Sequence, residues 1–140
     1  GLAALKRVAK TEMHHGRPLI EDPHFAARLA RIEIDLMAMA TTNMRVVAGA
    51  DAGAAPGAES SMLKVKGSII RQQINDLARR AVGPWAIPFV SEDLDSNIYH
   101  PGPDYSAKAS NTYLNNRKIS IYGGSNEVQR GIITKAILGL

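Results

Sequence analysis

The sequence lacks cysteine and is poor in aromatic side chains. Its 140 residues contain one tryptophan and two phenylalanines, and aromatic residues make up 5% of the chain. The absence of cysteine excludes disulfide bonds, thiolate catalysis and cysteine-ligated metal sites, and it fits a cytoplasmic protein. Hydrophobic residues make up 45% of the chain. Because most of them are small or aliphatic, the composition favours packed helices over a β-sandwich.

Long apolar runs and blocks of like charge are also missing. No stretch approaches the roughly 20 apolar residues of a membrane-spanning helix, and no signal peptide is recognisable. The net charge of +4 comes from 17 basic and 13 acidic residues spread over several segments. Because no basic run is interleaved with aromatic residues, we expect no nucleic-acid partner. The four histidines lack partners at ligand spacing, so we expect no bound metal.

Hydrophobic spacing and breaker residues predict an all-α protein, an up-and-down bundle of four to five helices. The second helix begins at a start signal, because Asp22 can cap it and Pro23 suits its first turn. Apolar residues around a wide arc of this helix predict that it is buried on more than one side. The other helices are predicted at about residues 2–15, 60–82, 104–121 and 126–138. The core face of the third is predicted to contain Leu63, Ile70, Ile74 and Leu77.

Two connecting segments separate these helices. Residues 49–58 are rich in Gly and Ala and predict a surface connection. Residues 83–104 are irregular and hold Trp85, Phe89 and Tyr99, which predicts a long loop packed against the domain. The chain opens in a helical pattern without an initiator Met. We interpret residues 1–140 as one helical domain of a longer polypeptide.

The most informative segment is residues 121–130, which read IYGGSNEVQR. Gly123 and Gly124 allow a sharp break between two helices and a close approach to a ligand. We predict that Asn126 caps the last helix, with Gln129 as its reciprocal partner. Free N–H groups at the start of that helix would suit an anion such as a phosphate. Residues 121–125 are called the glycine turn below.

This segment closely resembles the C-terminal signature of acyl-CoA dehydrogenases. Residues 56–64 (PGAESSMLK) resemble the entry into a long helix of that family's C-terminal domain. Residues 77–84 (LARRAVGP) resemble another segment of that domain, which ends at a glycine that contacts the flavin. The resemblance implies an FAD-dependent enzyme that removes the α and β hydrogens of an acyl-CoA thioester. It also implies electron transfer to an electron-transferring flavoprotein and assembly into a homo- or hetero-oligomer.

The resemblance also implies roles for particular residues. Carried over by position, the residues that would bind FAD are Ser125, Asn126, Glu127, Arg80 and Gly83. Those beside the acyl thioester would be Tyr122, Gly123 and Gly124. For Arg80 a second interpretation stays open, because a cation at the end of a helix also interacts favourably with the helix dipole. The dipole at the start of the last helix lowers the basicity of Glu127, so we expect it to contact a ligand rather than to remove a proton.

The chain departs from the family pattern at Gly123. Many members carry the catalytic glutamate at this position, and glycine has no side chain to act as a base. Other members place that glutamate on the first helix of the domain, at a position that falls before Gly1, so no residue of this chain is predicted to be catalytic. Near residues 12–16 the chain also lacks the Arg-x-x-Phe-Gly segment whose Arg contacts the FAD phosphate.

Two hypotheses follow from these residues. The first is the C-terminal domain of an active acyl-CoA dehydrogenase, and the run at residues 113–121 resembles bacterial members such as the pimeloyl-CoA type. The second is a non-catalytic partner subunit that completes the flavin site of a sister chain.

Overall fold

The computed structural model describes residues 1–53, 57–88 and 102–139. These ranges contain five α-helices and one short β-hairpin, and the fold is an all-α helical bundle, as the sequence predicts. The helices and strands are α1 (Leu2–Thr11), β1 (Met13–His14), β2 (Arg17–Pro18), α2 (Pro23–Asp51), α3 (Ala58–Ala81), α4 (Ala109–Asn115) and α5 (Asn126–Leu138).

The chain divides into two compact units. The first contains residues 1–31 and 71–117, and the second contains residues 32–70 and 118–140. The side chains buried in the first unit include Leu5, Ala9, Phe25, Leu29, Ile74, Leu77 and Ala81. The second unit buries Ile32 and Ile70 together with polar groups of Ser61, Ser68 and Asn126. The predicted core face of α3 is thus confirmed at three positions, while Leu63 is half-buried.

The prediction of a helix over residues 2–15 is wrong at its end. Helix α1 ends at Thr11, and the next residues form a hairpin in which Met13 pairs with Pro18 and His14 pairs with Arg17. His15 and Gly16 connect the strands with positive φ angles of 49° and 77°. Two successive residues in this conformation are typical of a tight hairpin turn, which bends the chain back before a helix can continue.

Helix α2 begins as predicted. The Oδ1 atom of Asp22 accepts a hydrogen bond from the backbone N–H of Phe25 at 2.8 Å, and Pro23 is the first helical residue. The helix extends to Asp51, so the start of the predicted connection at residues 49–58 is helical. Residues 54–56 lie outside the described residues.

The prediction that α2 is buried on several sides is wrong for this chain. Ile34, Met37 and Met44 are 66%, 65% and 64% exposed. All three lie in the second unit, where this side of α2 faces solvent. The apolar arc of the helix therefore exceeds what its own chain covers.

The predicted fourth helix, residues 104–121, is interrupted. Helix α4 covers only Ala109–Asn115, flanked by 3-10 turns at Asp104–Ser106 and Asn116–Ser120. The Nε2 atom of Gln72 donates hydrogen bonds to the carbonyl oxygens of Asn116 and Arg117, both at 3.2 Å. A side chain thus binds these carbonyls while the backbone tightens into a 3-10 turn.

Two of the three predicted loop aromatics, Phe89 and Tyr99, lie outside the described residues. The third, Trp85, is 45% exposed, and a Cβ atom on Gly102 would lie 2.9 Å from its ring. Helix α5 has the predicted bounds.

The cap of α2 gives a prediction with a defined pH dependence. The N–H of Phe25 is the main cause that holds the pKa of Asp22 below its usual range. Because this pKa is lower in the folded state, the ionised carboxylate stabilises the fold above about pH 4, and the contribution is lost as the pH falls through the folded-state pKa. We expect Asp22→Ala to lower the melting temperature by a few degrees at neutral pH and by less in acid.

Thermal denaturation at neutral and acidic pH measures this difference. Asp22→Asn is the control, because the amide oxygen keeps the hydrogen-bond acceptor without a titratable group. A difference between Asp22→Ala and the wild type that does not change with pH would contradict the assignment.

Candidate functional site

The glycine turn depends on two glycines in the left-handed region. Gly123 has a φ of 70° and Gly124 a φ of 81°, a conformation that other residues adopt only with strain. A Cβ atom on Gly124 would lie 2.6 Å from Nε2 of Gln129. Gln129 is held there because its Nε2 donates to the carbonyl oxygen of Gly123 at 3.1 Å. Gly124 is therefore required by both its backbone angle and the space beside it.

The cap of α5 differs from the prediction. Ser125 is the N-cap, and its Oγ accepts a hydrogen bond from the backbone N–H of Val128 at 3.4 Å. Asn126 is the first residue inside the helix, so the prediction that it caps α5 is wrong. Gln129 binds Gly123 instead of completing a reciprocal capping box. The serine one position earlier captures the helix end because Asn126 has other partners.

Those partners are on α3. Asn126 is 7% exposed, its Oδ1 accepts from Nζ of Lys64 at 2.9 Å, and its Nδ2 donates to Oγ of Ser68 at 3.0 Å. Sequence reasoning missed Lys64 and Ser68, although their spacing of four residues predicts that they share a face of the helix. Since the side chain of Asn126 is buried and bonded on both atoms, it fastens α5 to α3.

The remaining residues predicted for this end of the site are accessible. Gly123, Gly124 and Glu127 are exposed, Ser125 is half-buried, and Tyr122 is 56% exposed. The turn thus presents peptide groups without side chains beside one hydroxyl, one carboxylate and one phenol. Such a surface can bind the polar groups of a ligand and let an extended part of it approach the backbone closely.

The Glu127 carboxylate lies close to hydrogen-bond donors at the start of α5. Its pKa is lowered, first because its own backbone N–H donates to the carboxylate and then because the Ser125 hydroxyl donates to it. Arg130 lies 4.0 Å from the same carboxylate. The group is therefore a weak base at neutral pH. The start of α5, which is predicted to suit an anion, therefore carries an exposed carboxylate of its own.

Arg80 and Gly83 lie in the first unit, at the end of α3 and just after it. The Nε of Arg80 donates to Oδ2 of Asp76 at 2.7 Å, and Nη2 of Arg79 lies 3.5 Å from Oδ1. Partial burial acts to raise the pKa of Asp76, but these two guanidinium groups outweigh it and the pKa is lowered. Gly83 is exposed with a φ of 56°. Arg80 is thus fixed in direction by a carboxylate and half exposed to solvent.

The first unit also contains a cavity of about 190 Å³, lined by parts of α1, the end of α3 and residues 105–112. None of the residues predicted for the site lines it. In the described ranges, no three His, Asp or Glu side chains come together as a metal site would need. No helix in the same ranges is long and apolar enough to cross a membrane.

Comparison with known proteins identifies a family. Residues 2–138 match the family model described as acyl-CoA dehydrogenase, C-terminal domain. A comparison with curated protein sequences finds no significant match.

Solved structures of low sequence identity share the fold. The butyryl-CoA dehydrogenase of Megasphaera elsdenii aligns with a TM-score of 0.74 and 18% identity, over 98% of this chain and 32% of that chain. The FAD complex of PigA aligns with a TM-score of 0.77 and 21% identity, over 99% of this chain and 32% of that chain. The ChsE4–ChsE5 complex from Mycobacterium tuberculosis aligns with a TM-score of 0.73 and 24% identity, over 99% of this chain and 34% of that chain. The chain therefore spans about a third of the length of these chains.

The glycine turn and α5 allow a matched pair of substitutions. We expect Gly124→Ala to destabilise the fold by roughly 1–3 kcal/mol, because the new Cβ is strained at positive φ and displaces Gln129. Gly131→Ala is the control, since Gly131 lies within α5 and a Cβ atom there would meet nothing within 4 Å. There the same change should stabilise by up to about 1 kcal/mol. Denaturant unfolding measures the free energy of unfolding of both variants. A change of the same sign in the two would contradict this account.

Proposed function

Because this chain belongs to the acyl-CoA dehydrogenase family, whose C-terminal domain it matches over residues 2–138, we propose that it serves FAD-dependent α,β-desaturation of an acyl-CoA thioester. The glycine turn is the observation that carries the proposal. It combines two glycines at positive φ with an accessible backbone and a capped helix directly behind it. This arrangement lets a flat or extended ligand lie against peptide groups without meeting a side chain.

The accessible groups of this domain fit parts of a flavin nucleotide. The Ser125 hydroxyl and the ionised Glu127 would bind ligand hydroxyl and amine groups, and Asn126 would contribute by fastening the helix end. The Arg80 guanidinium suits a phosphate, because its fork of N–H groups matches phosphate oxygens. Gly83, beside it, leaves room for a close approach. FAD, when bound, supplies the acceptor for the β-hydride.

The chain's own part in the reaction is to orient the substrate. Tyr122 would border the acyl chain with its exposed ring, and Gly123 and Gly124 would hold the thioester against bare backbone. The α-proton must go elsewhere, because Gly123 has no side chain and the lowered pKa of Glu127 makes it a poor base. We place the base outside the glycine turn.

An apolar face on α2 supports assembly into an oligomer. In the second unit, exposed positions recur at alternating spacings of three and four residues: Ile34, Met37, Thr41, Met44 and Ala48. This is the spacing by which one helix packs along another. None of the five carries a charge, and a patch of this kind marks a contact surface. We propose that another subunit covers it and that the assembly passes electrons to an electron-transferring flavoprotein.

A second candidate is a non-catalytic subunit that completes the flavin site of a sister chain. The missing side chain at Gly123 favours it. A cytoplasmic location also stays a prediction for either candidate.

The first test is the visible absorption spectrum of the full-length polypeptide. We expect it to purify with flavin that bleaches anaerobically with one member of an acyl-CoA panel that includes pimeloyl-CoA. Flavin that stays oxidised with every thioester would instead favour the partner subunit. A polypeptide that binds no flavin, alone or with co-purified chains, would contradict both candidates.

The second test concerns the apolar face of α2. We expect Met44→Glu to weaken the assembly by at least about tenfold, because a charge would be buried without a partner. Asn43→Glu is the control, since Asn43 is an exposed neighbour outside the three-four spacing. Light scattering over a dilution series measures the assembly. An unchanged mass for Met44→Glu at every concentration would count against this face as the contact.

A further inference from the structure

Lys64 on α3 is bonded to both ends of the glycine turn. Its Nζ donates to the carbonyl oxygen of Ser120 at 3.4 Å and to Oδ1 of Asn126 at 2.9 Å. Ser120 directly precedes the turn and Asn126 directly follows it. One ammonium group therefore joins the entry and the exit of the five residues between them.

Ser68 restricts the orientation of the Asn126 amide. Its Oγ accepts from Nδ2 of Asn126 at 3.0 Å, and it also lies 2.8 Å from the carbonyl oxygen of Val65 as a donor. Lys64 thus bonds the oxygen of one buried amide, while Ser68 Oγ bonds its nitrogen and also lies 3.1 Å from its oxygen. An amide bonded at both ends cannot rotate without leaving a buried polar group unpaired. The first turn of α5 is consequently fixed in orientation as well as in position.

A lysine is an unfavourable choice for helix stability at this point. The start of α5 carries the positive end of the helix dipole, where cations are disfavoured. The Glu127 carboxylate, whose pKa Lys64 helps to lower, is 78% exposed and lies 4.0 Å from Arg130, so it offsets this repulsion only weakly. A neutral donor such as a glutamine amide would meet a carbonyl here without this repulsion. The length of lysine and its several donors, which reach two acceptors at once, account for its presence better than stability does.

We propose that Lys64 is a positioning residue. By holding Ser120 and Asn126 together it sets the distance between the two ends of the glycine turn, and thereby the position of Gly123 and Gly124 against the substrate. The role at the substrate rests on the function proposed above, whereas the role in holding the turn does not.

The experiment compares three variants of the full-length polypeptide. Lys64→Met keeps the approximate length of the side chain and removes its donors, and Lys64→Arg restores a charged donor. Lys66→Met is the matched control, because Lys66 lies on the same helix and pairs with Asp35 on α2 at 2.9 Å. Hydrogen–deuterium exchange of peptides covering residues 118–130 reports on the turn. Values of kcat and KM with the acyl-CoA that bleaches the flavin report on the substrate.

For Lys64→Met we expect exchange in residues 118–130 to rise about tenfold, as two hydrogen bonds of a charged group are lost. We expect kcat to fall about tenfold or more while KM changes less, because a misplaced turn disturbs the reacting geometry. Lys64→Arg should recover most of both losses, and Lys66→Met should change neither. A purely structural lysine would lower the melting temperature without this split between kcat and KM.

Wild-type exchange in Lys64→Met would overturn the proposal. If the polypeptide turns over no acyl-CoA, the proposed function fails, and the exchange result still decides whether Lys64 holds the turn. Should Lys64→Met not fold, Lys64→Gln decides, because its side chain keeps an N–H donor but is shorter than lysine and carries no charge. Exchange in residues 118–130 must then rise several-fold, and wild-type exchange would overturn the proposal.

Discussion

The buried amide of Asn126 is the contact on which the candidate site depends. Its oxygen is bound by Lys64 and its nitrogen by Ser68, so the start of α5 is fastened to α3. The bare peptide groups of the glycine turn could otherwise sample many conformations, because glycine restricts its backbone least of all residues. A buried, fully bonded side chain next to a flexible segment gives that segment one geometry. The open face for a ligand and the rigid support behind it are therefore parts of one arrangement.

Charge is distributed differently at the two places where the family resemblance predicts cofactor contacts. At the start of α5, Glu127 adds an exposed negative charge, and its lowered pKa keeps it ionised at neutral pH. At the end of α3, Arg79 and Arg80 share the single carboxylate of Asp76, which leaves an excess of positive charge. The two segments therefore present opposite charges.

Sequence reasoning succeeded where the signal is local. Asp22 and Pro23 fixed the start of α2, and the bounds of α5 were predicted to the residue, because caps and glycine breaks act within one turn of helix. It failed where a distant side chain competes with the local one. Asn126 has good propensity for a cap, yet Lys64 and Ser68 bind it, and Ser125 caps the helix instead. Likewise, Gln72 binds the carbonyls of Asn116 and Arg117, at the point where the predicted fourth helix breaks.

The sequence by itself determined the helical class and the position of the glycine turn, because these follow from composition, spacing and breaker residues. It indicated the family only through the resemblance of residues 121–130 to a known signature. It could not determine which residues support the turn, since Lys64 and Ser68 are about 60 positions away and their contact exists only after folding. The prediction from the sequence also overestimated the buried surface of α2. Apolar spacing indicates that a helix face is in contact with something, but it does not identify what covers that face. Only the tertiary structure decided that Met37 and Met44 stay 65% and 64% exposed, since burial depends on which neighbours the fold supplies.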